Sequence, residues 1–153
     1  MRRFKKALFF AFFGVMALQT PAFATDEVID FETLPETAQL LIKENFSSLT
    51  VARATFDADL NDKNYEVVLS DSTTIEFDKE GNWVEIECEN GAVPAKLIPE
   101  AITKYVAEKF TGVDIKKIEK ETDNIEVTLS NEVELTFNAQ FELVETEAEE
   151  VTE

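Results

Sequence analysis

A repeat constrains this chain more than any other feature. Residues 65–87, YEVVLSDSTTIEFDKEGNWVEIE, return in altered form at residues 125–147, IEVTLSNEVELTFNAQFELVETE. With a shift of 60, Glu66 falls on Glu126, Val67 on Val127, Leu69 on Leu129, Ser70 on Ser130 and Phe77 on Phe137. Val84, Glu85 and Glu87 then fall on Val144, Glu145 and Glu147. Each copy reads as three short strands joined by turns. Asp71-Ser72 and Asn131-Glu132 form the first turn of each copy. In the 78–82 turn, Gly81 supplies the positive φ such a bend requires.

The strands alternate with period two. Tyr65, Val67, Leu69, Ile75 and Phe77 point one way, as do Ile125, Val127, Leu129, Leu135 and Phe137. The opposite face carries Glu66, Thr74, Glu76, Glu126, Thr128, Glu134 and Thr136. Such patterning means one buried sheet face and one wet one. Upstream of each copy lies an amphipathic helix. Leu34, Ala38, Leu41, Ile42 and Phe46 share a face over residues 34–46, and Ile98, Ile102, Tyr105, Val106 and Phe110 do so over 98–110. Thr33 and Glu36 stand at the capping-box interval, with Pro35 suited to a first turn. The helices repeat with an offset of 64, so the first copy carries four extra residues in the loop after its first strand.

The expected fold is α+β: two tandem helix-plus-antiparallel-sheet repeats, about eight strands, with both helices on one face and an open acidic face opposite. The expected organisation is a lead-in at 25–33, a first repeat at 34–90, a linker at 91–97, a second repeat at 98–147 and an acidic tail at 148–153, which should fray. Trp83 is ambiguous. If residues 78 and 82 close a three-residue hairpin loop, it faces Phe77 and points inward; if Val84, Ile86 and Cys88 form the inner row, it lies on the wet face. The second alternative is slightly preferred, giving a partly exposed Trp83.

Residues 1–24 read as a signal peptide. MRRFKK is a basic start, ALFFAFFGVMAL is an apolar run too short to span a bilayer, and Ala22-Phe23-Ala24 suits cleavage after Ala24. The exported protein then begins at Thr25, periplasmic or secreted, with no stable membrane anchor. Of the 14 basic residues, Arg2, Arg3, Lys5 and Lys6 leave with this segment, so ten face 32 acidic ones, a net charge of about −22. Such a polyanion repels nucleic acid and anionic membranes. Cys88 is the sole cysteine, which precludes an internal disulfide and leaves a buried thiol, the preferred reading, or an intermolecular bridge.

The stretches LPETAQLLIKENF, YEVVLSDSTTIEFDKEGNWVEI and VPAKLIPEAITKYVAEKF resemble the β-lactamase-inhibitor-like, PepSY-like family of exported bacterial proteins. The resemblance covers residues 34–147. It implies two tandem helix-plus-sheet units; related folds include an inhibitor that clasps an enzyme with its concave sheet face, and peptidase propeptide-type modules.

With no histidine the chain has no histidine-based triad or zinc site, and the acidic neighbours of Cys88 would raise its pKa. No catalytic residue and no cofactor are expected. Asp57, Asp59 and Asn61 copy the first, third and fifth positions of a calcium loop. Asp62 stands where that loop needs Gly and Val68 where it needs Glu, so a solvated hairpin loop is the preferred reading. The expected function is a non-enzymatic binding module for a protein partner, an inhibitor or capture protein for a secreted or envelope enzyme. Trp83 is its candidate anchor, and Glu66, Glu76, Glu126 and Glu134 supply the field. The alternative is a calcium- or cation-binding envelope protein.

Overall fold

The computed structural model describes residues 27–58 and 63–148. The signal peptide expected at 1–24, Asp59 and Asn61 of the calcium-like stretch, and all of the acidic tail but Ala148 lie outside them.

Period-two patterning produces strands wherever it was read. After a short β1 (Glu27–Val28) and a 3₁₀ turn (Phe31–Thr33) come α1 (Glu36–Asn45), β2 (Val51–Phe56), β3 (Tyr65–Leu69), β4 (Thr73–Phe77) and β5 (Trp83–Cys88). A second 3₁₀ turn (Ala95–Leu97) leads to α2 (Glu100–Lys109), β6 (Ile115–Lys120), β7 (Asn124–Leu129), β8 (Val133–Asn138) and β9 (Leu143–Ala148). The strands form one nine-stranded sheet in chain order, each pair antiparallel. The two repeats are joined edge to edge, with Ile86 opposite Ile118 at the junction of β5 and β6.

Both helices cover the apolar face. Ala38, Ile42, Ile102 and Val106 are buried with Val67, Ile75, Phe77, Ile86, Ile118, Val127, Leu135 and Phe137 in a single cluster. Each such Val, Ile, Leu or Phe contributes roughly 1.5–3 kcal/mol by leaving water. Tyr105 of α2 meets Phe137 edge-on at 5.5 Å between ring centres. At the first unit the approach is backbone-close. Gly81 has φ +83, and a Cβ added there would lie 2.5 Å from Pro35 Cβ. Only glycine satisfies both the turn and that contact.

Three expectations need correction. Residues 27–28 are a strand rather than a loose lead-in: β1 pairs with β2, and the Ile29 N–H donates to Ala54 O at 3.0 Å. The start of the tail is ordered as well, since β9 pairs with β8 as far as Ala148. The Thr33–Glu36 capping box does not form. Leu34 and Pro35 are both extended and Pro35 is the N-cap, so Thr33 sits too far upstream for its hydroxyl to reach the helix amides. Glu36 and Glu100 at the helix starts, and Lys43 and Lys109 at the ends, complement the helix dipoles instead.

A bulge resolves the Trp83 alternatives. Glu76 lies opposite Glu85 and Phe77 opposite Trp83, so β5 carries one extra residue at Val84. The extra residue lets Trp83 point inward with Phe77 while Ile86 and Cys88 remain in the inner row. Trp83 packs against the core, and Lys120 Nζ sits 3.3 Å from its ring centre. Trp83 is therefore on the helix side, not the wet face. Cys88 is a buried free thiol, which burial pushes up in pKa.

Candidate functional site

The uncovered face is organised by register. Glu66 on β3 lies opposite Glu76, Glu76 opposite Glu85, Glu85 opposite Glu119, and Glu119 opposite Glu126 on β7. Five glutamates on five adjacent strands thus form one straight row. Like charges placed directly opposite are destabilising, so such a row requires cations.

Lys63 and Lys117 supply them. Lys63 enters from the loop between β2 and β3, and its Nζ lies 2.9 Å from Glu76 Oε2 and 2.9 Å from Glu119 Oε1 while also pairing with Glu85. Lys117 Nζ lies 3.0 Å from Glu85 Oε1 and 3.3 Å from Glu119 Oε2. Arg53 pairs with Glu66 at the margin. Side-chain exposure falls from 35% at Glu66 to 22% at Glu76 and 11% at Glu85, then rises to 23% at Glu119, so the pairs at the centre are the least screened.

The titration of these groups follows from that placement. Burial alone would lower Lys63, but its bonds to Glu85, Glu76 and Glu119 outweigh it and hold the ammonium well above the ordinary lysine range. Lys117 is raised in the same way: burial opposes the shift, and Glu85 and Glu119 overcome it. Glu119 is lowered because Lys63 and Lys117 outweigh its burial. Glu76 is raised, burial prevailing over its bond to Lys63. Glu126 is raised by burial and then by Glu134, Glu119 and Glu121. Among the described residues Glu126 forms no ion pair. Lysines held protonated in this way are poor nucleophiles, and what the row offers a visitor is charge and hydrogen-bond acceptors.

Three of the four glutamates expected on this face, Glu66, Glu76 and Glu126, stand in the row. Glu134 lies in the next one, opposite Thr128 and Glu147. Trp83 is on the far side of the sheet from all four. Lys63, Glu85, Lys117 and Glu119, the residues that make the centre, are not among those expected on this site from sequence. A signal for two of them exists: Ile115 and Ile118 are both buried three residues apart, which period two forbids without a bulge, and that bulge turns Lys117 and Glu119 outward together. Asp57, the described member of the calcium-like stretch, closes the loop base. Its N–H donates to Asn64 O at 2.8 Å, and the Asn64 amide donates to Asp57 O at 3.1 Å. Among the described residues no cluster of three metal-ligating side chains has the geometry to hold a metal ion.

The family model described as "Putative beta-lactamase-inhibitor-like, PepSY-like" matches residues 63–145. Among solved structures, a "putative calcium-regulated periplasmic protein" from Bacteroides thetaiotaomicron is 39% identical with a TM-score of 0.77, the match covering 80% of this chain and 96% of that one. A "putative periplasmic protein" from Bacteroides vulgatus is 39% identical with a TM-score of 0.76, over 80% of this chain and 96% of the other. A second such protein from the same organism, of unknown function, is 34% identical with a TM-score of 0.75, over 80% and 99%. No curated protein matches this chain in sequence.

Proposed function

Because this chain belongs to the PepSY-like, β-lactamase-inhibitor-like family, we propose that it is an exported, non-enzymatic binding protein that captures or inhibits a secreted or envelope enzyme on its uncovered sheet face. The observation that carries this reading is the glutamate row. Its centre is fixed by Lys63 and Lys117, while Glu126 and Glu134 at one flank lack an ion pair among the described residues. A rigid, partly neutralised centre beside an unneutralised flank suits a partner that brings lysine or arginine to the Glu126 side. Trp83 is not part of this surface, so the aromatic anchor expected from sequence is withdrawn from the proposal. Export is supported by the leader pattern at residues 1–24 and by three similar structures described as periplasmic.

The test is retention of an envelope protein by immobilised wild type but not by the Glu126→Lys/Glu134→Lys variant. Both side chains are on the wet face, so the variant should keep its fold, which circular dichroism checks. A partner held equally by both proteins would move the binding surface elsewhere.

A second reading is favoured by one observation: a 39% identical relative is described as calcium-regulated. Asp57, Asp59 and Asn61 precede Lys63 closely in sequence, so a cation held by them would act on the approach to the residue that bonds Glu76, Glu85 and Glu119. The family match begins at residue 63 and leaves this stretch out. Calorimetry with calcium separates the readings: saturable heat that disappears in Asp59→Ala supports the cation site, and no heat removes it.

A further inference from the structure

We propose that the outer edge of β9 is a docking strand for an extended, lysine-bearing segment of a partner protein, which adds there as a tenth strand. The site is the backbone edge, free among the described residues, at which the wet face ends, with Glu145 and Glu147 on the same side of the sheet as Glu134. The molecule contains its own precedent. By the 60-residue repeat, Val144, Glu145 and Glu147 of β9 stand where β5 has Val84, Glu85 and Glu87. The outer edge of β5 is occupied. β6, with the sequence IKKIEK, lies along it with Glu85 opposite Glu119, Ile86 opposite Ile118 and Glu87 opposite Lys117. The same kind of edge on β9 ends the sheet, and no strand lies beyond it among the described residues.

Two further differences show what β9 lacks. Val84 is half-buried in a groove lined also by Lys120, Glu121 and Asn124 from the β6–β7 end, whereas Val144 is 56% exposed. Phe141, just before β9, is 40% exposed, so two of the four exposed large hydrophobics among the described residues flank this edge. The carboxylates differ likewise. Glu85 is held by Lys117 from the neighbouring strand, while Glu145 and Glu147 are exposed and form no ion pair among the described residues. What completes β5 is a strand that carries isoleucines to the inner face and Lys117 to the wet one, with Glu119 opposite Glu85, and an isoleucine- and lysine-bearing strand fits β9 as well.

A second copy fits less well. Pairing β9 with β9 would set Glu145 and Glu147 of each chain against acidic neighbours, and like charges directly opposite destabilise. The other end of the sheet offers a strand of only two residues, β1, which pairs with β2 and is too short to template a long addition. β9 is six residues long with neither proline nor glycine, and beyond the bulge at Val144 its guard against strand addition among the described residues is its charge. That guard selects a cationic strand.

The probe is a synthetic peptide of residues 113–121, which contains β6, titrated into the ¹⁵N-labelled exported protein. Saturable amide shifts and slowed hydrogen exchange should be confined to residues 143–148 and their β8 neighbours. They should be lost in Glu145→Lys/Glu147→Lys and retained in Glu126→Lys, whose side chain is separated from Glu145 by Thr136 of β8; that contrast distinguishes this edge from the centre of the face. A peptide with Lys116, Lys117 and Lys120 replaced by Glu should give no shift. Equal shifts with the lysine-free peptide, shifts centred on β1 and β2, or no shifts at all would overturn the proposal. So would self-association without peptide that disappears in Glu145→Lys/Glu147→Lys, since the occupant would then be a second copy.

Discussion

β3–β4 and β7–β8 are the same hairpin twice, and along the strands their burial matches at every position except Thr73, buried where Val133 is half-buried. Val67 and Val127 are both 0% exposed, Leu69 and Leu129 both 1%, and Phe77 and Phe137 both 0%. β5 and β9 are also the same strand twice, yet they diverge. Ile86 is 0% exposed where its counterpart Thr146 is exposed, Cys88 is buried where Ala148 is exposed, and Glu85 is buried where Glu145 is not. The difference lies in what comes next. β3, β4, β7 and β8 each have a strand on both sides, as does β5, but among the described residues β9 has only β8. A repeat preserves its pattern where the neighbours are preserved and drifts to polar or small residues where they are missing.

The largest effect should come from exchanging these two environments. Ile86→Ala empties a fully buried site and should destabilise by roughly 2–5 kcal/mol. Thr146→Ala, at the equivalent position on the edge, should change stability by no more than about 0.5 kcal/mol. Urea denaturation midpoints for both variants check this. A Thr146→Ala cost approaching that of Ile86→Ala would mean that the β9 edge is covered in solution, and the contrast would collapse.

The turns before β5 and β9 sharpen the comparison in a different way. Gly81 has φ 83 and its counterpart Phe141 has φ 60, so both copies demand a left-handed residue and only the first supplies glycine. The bonding around them is otherwise alike: Asp78 Oδ1 accepts from the amides of Glu80 and Asn82, and Asn138 Oδ1 accepts from those of Gln140 and Glu142. Gly81→Ala adds left-handed strain and a clash with Pro35, for a cost of about 3 kcal/mol. Phe141→Gly should run the other way, relieving strain worth about 1 kcal/mol at an exposed position. Thermal melts of the pair decide it. Destabilisation by Phe141→Gly would mean that the ring makes a contact worth more than the strain it causes.

How much of this was legible beforehand depends on which physics wrote it. Period-two alternation encodes strands and faces, so the inner row of Val67, Leu69, Ile75 and Phe77 was readable from residue order alone. The helix faces were readable from their 3.6 period for the same reason. A bulge is not written that way. One extra residue at Val84 moves Trp83 to the helix side while keeping Ile86 inside, and strict alternation permits only one of the two. The glutamate row was half visible: Glu66, Glu76 and Glu126 follow from parity, but their alignment with Glu85 and Glu119 needs the junction register, which no local pattern specifies. Lys63 was invisible because it comes from a loop. β1 was missed because two residues are too short to show alternation.

The smallest effect concerns Glu66 and Glu126, equivalent positions at the two ends of the row. Glu66 has Arg53. The counterpart of Arg53 in the second unit is Lys117, which is engaged by Glu85 and Glu119 and leaves Glu126 facing Glu119 with no ion pair among the described residues. A carboxyl whose folded pKa is raised above its ordinary 4.5 lowers stability when ionised; this cost is fully present above the folded value and gone below 4.5. Glu119, which is lowered, acts oppositely: its contribution is present above 4.5 and is lost as pH falls through its depressed value. Acidification from neutrality toward about pH 5 should therefore relieve Glu126 before it weakens Glu119. Glu126→Gln should stabilise by about 0.5 kcal/mol at neutral pH and diminish the gain on acidification. Glu66→Gln removes a paired carboxylate, should cost up to about 1 kcal/mol and should leave the gain from Glu126 in place. Urea titrations of both variants at neutral and mildly acidic pH measure the difference. If the two respond alike, Lys117 is shared with Glu126 in solution, and the row is more evenly neutralised than its contacts indicate.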